Sequence, residues 1–123
     1  MAGLIGGVPE QVLKRGLDVA ALRHQVISNN LANVDTPGFK ASDVTFELSL
    51  QQALGAGATS EDVDAATPTV YRVPARAFRG DGNTVDVDWE TVKLAQNTER
   101  YSSYADILRR RFAMWRLVIR EGR

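Results

Sequence analysis

Two runs of residues at heptad spacing, divided by a Pro-Gly turn, constrain this chain more than any other feature. In the first, Leu13, Leu17, Ala20, His24, Ile27, Leu31 and Val34 step alternately by four and three residues, the spacing that keeps one stripe of a helix against a partner. In the second, Leu94, Thr98, Tyr101, Ala105, Leu108, Phe112, Trp115 and Ile119 do the same over a longer reach. The pattern predicts a mainly α chain. A helix over 9–34 is followed by a turn, an extended arm and a linker over 35–85, then by a helix over 86–120. Together they are expected to make one domain over 1–123, with the terminal helices paired as a coiled coil. At about 1.5 Å per residue the second helix is roughly 50 Å long.

Local signals set the boundaries. Gly3, Gly6 and Gly7 suit a helix poorly, and Pro9 fits a first turn, where its missing N–H costs nothing. The first helix has to end near Asn33 or Val34, because Pro37 holds Thr36 extended. Thr36-Pro37-Gly38-Phe39 then matches a type II turn, with proline at the second position and glycine where φ must be positive. Val44, Phe46 and Leu48 alternate with polar residues, as in a short strand or arm. Residues 55–68 carry almost no large apolar side chains and predict a flexible linker. Thr69-Val70-Tyr71-Arg72-Val73 predicts a second short strand ended by Pro74, and Gly80-Asp81-Gly82-Asn83 a turn. Asp86 or Asp88 is placed to cap the second helix, near whose start acidic groups are favoured.

Val12, Val19 and Val26 form a further stripe seven residues apart, so the apolar face of the first helix is wider than one helix contact needs. Two helices packed only on each other are a poor energetic proposition. Burying a large apolar side chain stabilises by roughly 1.5–3 kcal/mol, while ordering a residue costs about 1.5 kcal/mol. Val12, Val19, Val26, Ile107, Met114 and Val118 are therefore expected to stay partly exposed unless other chains cover them.

Charge points the same way. Fifteen basic residues balance fifteen acidic ones, which leaves little repulsion between copies and argues against a general nucleic-acid binder. The balance is uneven along the chain: residues 1–68 carry four Lys/Arg against eight Asp/Glu, and residues 69–123 carry eleven against seven. The two halves are suited to attract each other within or between chains. With no cysteine and one histidine, the chain lacks a thiol nucleophile, a disulfide framework and the means for a Cys or His metal cluster. The glycines before Val8 lack the Lys-Ser/Thr pair of a phosphate loop. The run from Asp81 to Asp88 fails as a calcium loop, with Val85 where an oxygen is needed and Asp86 where glycine is required. No catalytic, cofactor or metal residues are assigned, and neither an enzyme nor a small-molecule substrate is implied. A basic n-region with a sustained apolar stretch is missing, so no cleaved signal peptide is expected.

Ser28-Asn29-Asn30-Leu31-Ala32-Asn33-Val34-Asp35-Thr36-Pro37-Gly38-Phe39-Lys40 resembles the N-terminal signature of the flagellar axial family, the rod and hook proteins. Asp43 to Glu47, Asp81 to Asp86, and the ending with Arg110-Arg111-Phe112-Ala113 are similar to its proximal rod members. Phe39 departs from the tyrosine that many relatives carry, keeping the ring without the hydroxyl. The resemblance implies a structural subunit of the hollow periplasmic rod of the basal body, exported by the flagellar type III apparatus. Its implied partners are other copies of itself, other rod proteins, the basal-body adaptor FliE and export gate proteins. The resemblance makes Ser28, Asn29, Asn30, Asn33, Asp35, Thr36, Pro37, Gly38 and Phe39 an assembly motif. Leu13, Leu17, Ile27 and Leu31 are expected to pack against Leu94, Tyr101, Leu108, Phe112 and Trp115, within a chain or across an assembly interface, with Ile119 continuing the same seam. The alternatives are another rod protein of that family, or a soluble coiled-coil adaptor forming a small closed oligomer.

Overall fold

In the computed structural model, which describes residues 7–74 and 80–122, two long helices lie antiparallel and a short arm packs along one of them. Helix α1 spans Val8–Ala32 and α4 spans Val87–Glu121. Between them the chain forms strand β1 (Ser42–Thr45), helices α2 (Glu47–Ala53) and α3 (Ser60–Ala65), and strand β2 (Thr69–Arg72). The mainly helical architecture with long terminal helices and short strands between them agrees with the sequence pattern. Pro9 occupies the first turn of α1. Asp86 caps α4, accepting from the Trp89 N–H at 3.2 Å, so one of its orphan donors is satisfied. The glycines preceding Gly7 fall outside the described residues.

Pairs spaced along α1 and α4 fix the antiparallel register. Glu10 meets Arg111, the Gly16 position lies against Tyr104, Asn97 donates to the Ala20 carbonyl, and Asn30 meets Glu90. The α4 residues in these pairs, Glu90, Asn97, Tyr104 and Arg111, recur every seven residues and interleave with Leu94, Leu108 and Trp115. Two of the four are charged. Glu10 and Glu90 are 0% and 2% exposed, a burial that carboxylates sustain only with partners. Arg111 serves Glu10; for Glu90, Lys93 lies 2.9 Å away and the Asn30 amide 3.1 Å away.

The helices approach tightly at Gly16. A Cβ there would stand 2.9 Å from two carbons of the Tyr104 ring, closer than van der Waals contact permits. Gly16→Ala is therefore expected to destabilise the protein by about 1–3 kcal/mol despite the better helix propensity of alanine. Urea melts of the purified variant check this, and an unchanged or raised midpoint would contradict it.

Residues 55–68 are not simply a linker, because they include α3, which is held by a local device. Thr59 Oγ1 accepts from the Asp62 N–H at 3.3 Å while Asp62 Oδ2 accepts from the Thr59 N–H at 2.8 Å, a reciprocal capping box. One fully buried side chain, Val63, and the small Ala66 then anchor the segment. Gln11 Nε2 donates to Asp64 Oδ1 at 2.9 Å, and Arg15 donates to the Ala66 carbonyl. Large side chains are not needed where the backbone is capped and a neighbouring helix supplies the cover.

The valine stripe of α1 meets this arm. Val19 is buried in a cluster with Val44, Phe46 and Ala66, with Leu22, Val26 and Leu50 packed around it. The chain itself therefore covers Val19, where the pattern alone called for other chains. Strands β1 and β2 pair antiparallel, Ser42 opposite Arg72 through Thr45 opposite Thr69. Val44 faces the core and β2 is exposed along its whole length. Arg23 reaches across to Glu47. Burial acts to raise the Glu47 carboxyl, but the N–H groups of Phe46 and Glu47 itself, with the Arg23 guanidinium, hold it below its ordinary value.

Candidate assembly site

The signature run ends α1, turns, and leads into β1, and three asparagines with different surroundings organise it. Asn33 works locally. Its Nδ2 donates to the Asn29 carbonyl at 2.8 Å, and its Oδ1 accepts from Thr36 Oγ1 at 3.1 Å, closing the last turn where helical carbonyls and donors run out. Asn30 works at long range and is 0% exposed. Its Oδ1 accepts the Ser42 N–H at 3.0 Å, and its Nδ2 donates to the Ser42 carbonyl at 2.8 Å and to Glu90 Oε2 at 3.1 Å. One amide thus joins α1, β1 and α4. Asn29 is exposed and contributes its carbonyl.

The turn has the predicted form. Phe39 N–H donates to the Thr36 carbonyl at 3.2 Å, and Gly38 has φ of 76°, a region open to glycine and costly for a β-branched side chain. A Cβ at Gly38 would meet nothing within 4 Å, so the cost of substitution is purely conformational. Gly38→Val is expected to lose about 1–3 kcal/mol, and Gly38→Asn distinctly less, because asparagine tolerates this region. Thermal melts of the two variants check the order, and equal midpoints would remove the turn from the account.

Beyond the turn, the 38–41 segment runs against 81–84. Gly38 N–H donates to the Asp81 carbonyl at 2.7 Å, Thr84 N–H to the Phe39 carbonyl at 3.0 Å, and Ala41 N–H to Thr84 Oγ1 at 2.8 Å. Lys40 Nζ donates to the Gly82 carbonyl. Asn83, 1% exposed, completes the joint. Its Nδ2 lies 2.9, 3.0 and 2.8 Å from the carbonyls of Asn33, Val34 and Thr36, and its Oδ1 accepts from the Val85 N–H at 2.8 Å. The carbonyls of the turn that follows α1 are thus gathered by a side chain about 50 residues away in sequence.

Of the motif residues, Asn30 and Asn33 hold the joint. Ser28, Asn29, Asp35, Thr36, Pro37 and Gly38 are exposed, and Phe39 is half-buried. Along the heptad rows, Ile27 and Trp115 are buried, and Leu13, Leu17, Leu31, Leu94 and Leu108 are half-buried. Tyr101, Phe112 and Ile119 are 48%, 39% and 58% exposed, and His24 is also exposed. The heptad positions shared with the α1 contact are therefore Leu94, Leu108 and Trp115, while Thr98, Ala105, Phe112 and Ile119 lie to one side. Reasoning from apolar spacing missed Glu90, Asn97 and Arg111 because they are polar. Their seven-residue recurrence was visible, but nothing marked it as buried. Asn83 had no comparable signal, since a Gly-Asn pair looks like any turn.

Among the described residues no group of His, Asp and Glu is arranged to hold a metal, and no described helix is long and apolar enough to cross a membrane.

The family model described as flagella basal body rod protein matches residues 11–40, which contain most of α1, the turn and Asn30 with Asn33. Flagellar basal body rod protein FlgB of Aeromonas hydrophila is 40% identical over 102 residues, covering 75% of this chain and 77% of that protein. The FlgB proteins of Borrelia hermsii and Bacillus subtilis are 36% and 34% identical, covering 86% and 92% of this chain and 91% and 94% of their own lengths. A similarity that runs through the joint and along both long helices has one reading: the chain belongs to the flagellar basal body rod protein family.

Proposed function

We propose that this chain is a structural subunit of the proximal rod of the bacterial flagellar basal body, assembling with copies of itself and with other rod proteins into the hollow drive shaft. The observation that carries this reading is the coincidence of the family signature with the joint. The residues matched by the family model include Asn30, Asn33 and the turn, which meet Ser42, Asn83 and Glu90 where the end of α1 is joined to β1 and to the start of α4. A shaft subunit transmits torque through such joints, so a joint built from buried amides and a fixed turn suits a load-bearing part. No catalytic role is assigned to any residue. The rod reading further places the chain in the periplasm after export through the flagellar type III apparatus, without a cleaved signal peptide. The adaptor FliE and the export gate proteins are its proposed neighbours at the base.

In-frame deletion of the gene, with purified basal bodies imaged by electron microscopy, tests the reading. Loss of the rod and of swimming, both restored by the intact gene, is expected. Normal rods in the deletion strain would contradict it and favour an adaptor outside the flagellum.

A further inference from the structure

The arm covers one flank of the α1–α4 pair and leaves another open. Along the open flank runs a groove of about 360 Å³ lined by Ala20, Ala21, His24, Asn97, Thr98 and Tyr101. Its small side chains allow a neighbouring backbone or side chain to come close. Asn97, 4% exposed, donates Nδ2 to the Ala20 carbonyl at 2.7 Å, and among the described residues its Oδ1 has no donor. The groove continues into the heptad row that the α1 contact leaves unused. Tyr101 is exposed in the groove, and Phe112 and Ile119 are exposed along that row, apolar surface that favours a partner.

Charge identifies the partner. Arg109 and Arg116 follow Ala105 and Phe112 by four residues, and Arg120 follows Arg116 by four, so all three lie along the same flank of α4. Arg109 is near Asp106 at 3.8 Å, whereas Arg116 and Arg120 make no ion pair among the described residues. The complementary surface is on the chain's own arm. Glu61, Asp62 and Asp64 are exposed on α3, and Leu48 and Leu54 are 63% and 43% exposed on and just after α2. Gln11 ties α3 to the first turns of α1, and Glu10 ties the end of α4 to those same turns. Arg109 therefore lies near the height of the acidic arm, on a different side of the molecule, and Arg116 and Arg120 extend roughly 7 and 13 Å beyond that level along α4.

We infer that the open α1–α4 flank receives a second copy of this chain, whose α2–α3 arm seats its acidic and apolar residues against Arg109, Arg116, Phe112 and Ile119. The contact is heterologous: each copy offers both surfaces, so copies add side by side around an axis instead of closing as a two-fold dimer. The balanced net charge of the whole chain sets no long-range repulsion against it. The inference rests on the rod-subunit reading and names the lateral surface of that assembly.

Because the chain has no cysteine, introduced thiols report the contact without background. Arg116→Cys and Glu61→Cys, both at exposed positions, are made as separate variants, mixed and oxidised mildly. The same pair is co-expressed in cells and oxidised in isolated basal bodies. A mixed disulfide dimer in excess of either homodimer is expected, falling as salt is raised. Reversing the neighbouring charge with Arg109→Glu is expected to lower its yield roughly tenfold. Circular dichroism confirms that each variant folds. Homodimers of Arg116→Cys alone, adducts only with a different basal-body protein, or no mixed dimer in either preparation would overturn the inference. Rods that assemble without the mixed dimer remove this contact and leave the rod reading standing, whereas rods that assemble without the chain remove the rod reading itself.

Discussion

Replacing Asn30 with aspartate is expected to unfold the joint and cost the protein more than removing the side chain altogether. Asn30→Ala leaves the Ser42 N–H, the Ser42 carbonyl and one Glu90 oxygen without the amide that serves them. Buried groups left unsatisfied cost about 1–3 kcal/mol each, reduced where water enters, so a loss of about 3 kcal/mol is expected. Against a total of about 5–15 kcal/mol that is a large fraction, corresponding to a midpoint lowered by roughly 10 °C. Asn30→Asp keeps the acceptor for the Ser42 N–H but sets a second carboxylate where the Nδ2 stood, 3.1 Å from Glu90 Oε2. Two buried carboxylates so close cannot both stay ionised. Adding Glu90→Gln restores a donor between the two positions, and the double variant is expected to recover much of the loss. Thermal melts of the wild type, the two single variants and the double variant form a cycle that isolates the coupling. Additive effects would show that the two side chains do not act together.

Asn83→Ala is expected to have the next largest effect, about 2–4 kcal/mol, although the substitution lies outside every regular element. The carbonyls of Asn33, Val34 and Thr36, just beyond α1, lose the Asn83 amide that draws them together, and the Val85 N–H loses its acceptor. Asn83→Asp is expected to be worse, since it turns a carboxylate oxygen toward carbonyl oxygens. The loss should be local as well as global. Amide hydrogen exchange is expected to quicken at Gly38 and Thr84, whose N–H groups bond across the joint, more than in the middle of α4. Uniform acceleration along the whole chain would indicate that Asn83 supports overall stability without a special part in the joint.

The long helices and the turn were legible because each rests on local information. Heptad spacing needs only the order of residues, and the turn at Gly38 needs only Pro37 and a glycine. The arm was legible in part. The second strand lies where Thr69 to Arg72 placed it, but the alternation of Val44, Phe46 and Leu48 holds as a strand only to Thr45, and Leu48 stands exposed in α2. Both α2 and α3 were missed, α3 because its support is a Thr59–Asp62 capping box in an otherwise unpromising composition and a helix face that only the fold brings near. The site was legible as a motif and opaque as a mechanism. Asn30 and Asn33 are three residues apart and look alike, yet one closes a turn in partial exposure and the other is buried between three elements. What separates them is the arrival of Ser42 and Glu90, and sequence distance says nothing of that. Phe112 and Ile119 keep the heptad rhythm yet lie beside the α1 contact. A repeat shows that a surface is apolar and straight without naming what covers it.

The central claim is that the rod signature functions by locking α1 to β1 and α4. Complementing the deletion strain with Asn30→Asp, and separately with Asn30→Asp joined to Glu90→Gln, tests it most directly, with rods counted in purified basal bodies by electron microscopy. The account predicts few or no rods from the single variant and a substantial return of rods from the double. Wild-type numbers of rods from the single variant, with the protein present at normal abundance, would contradict it.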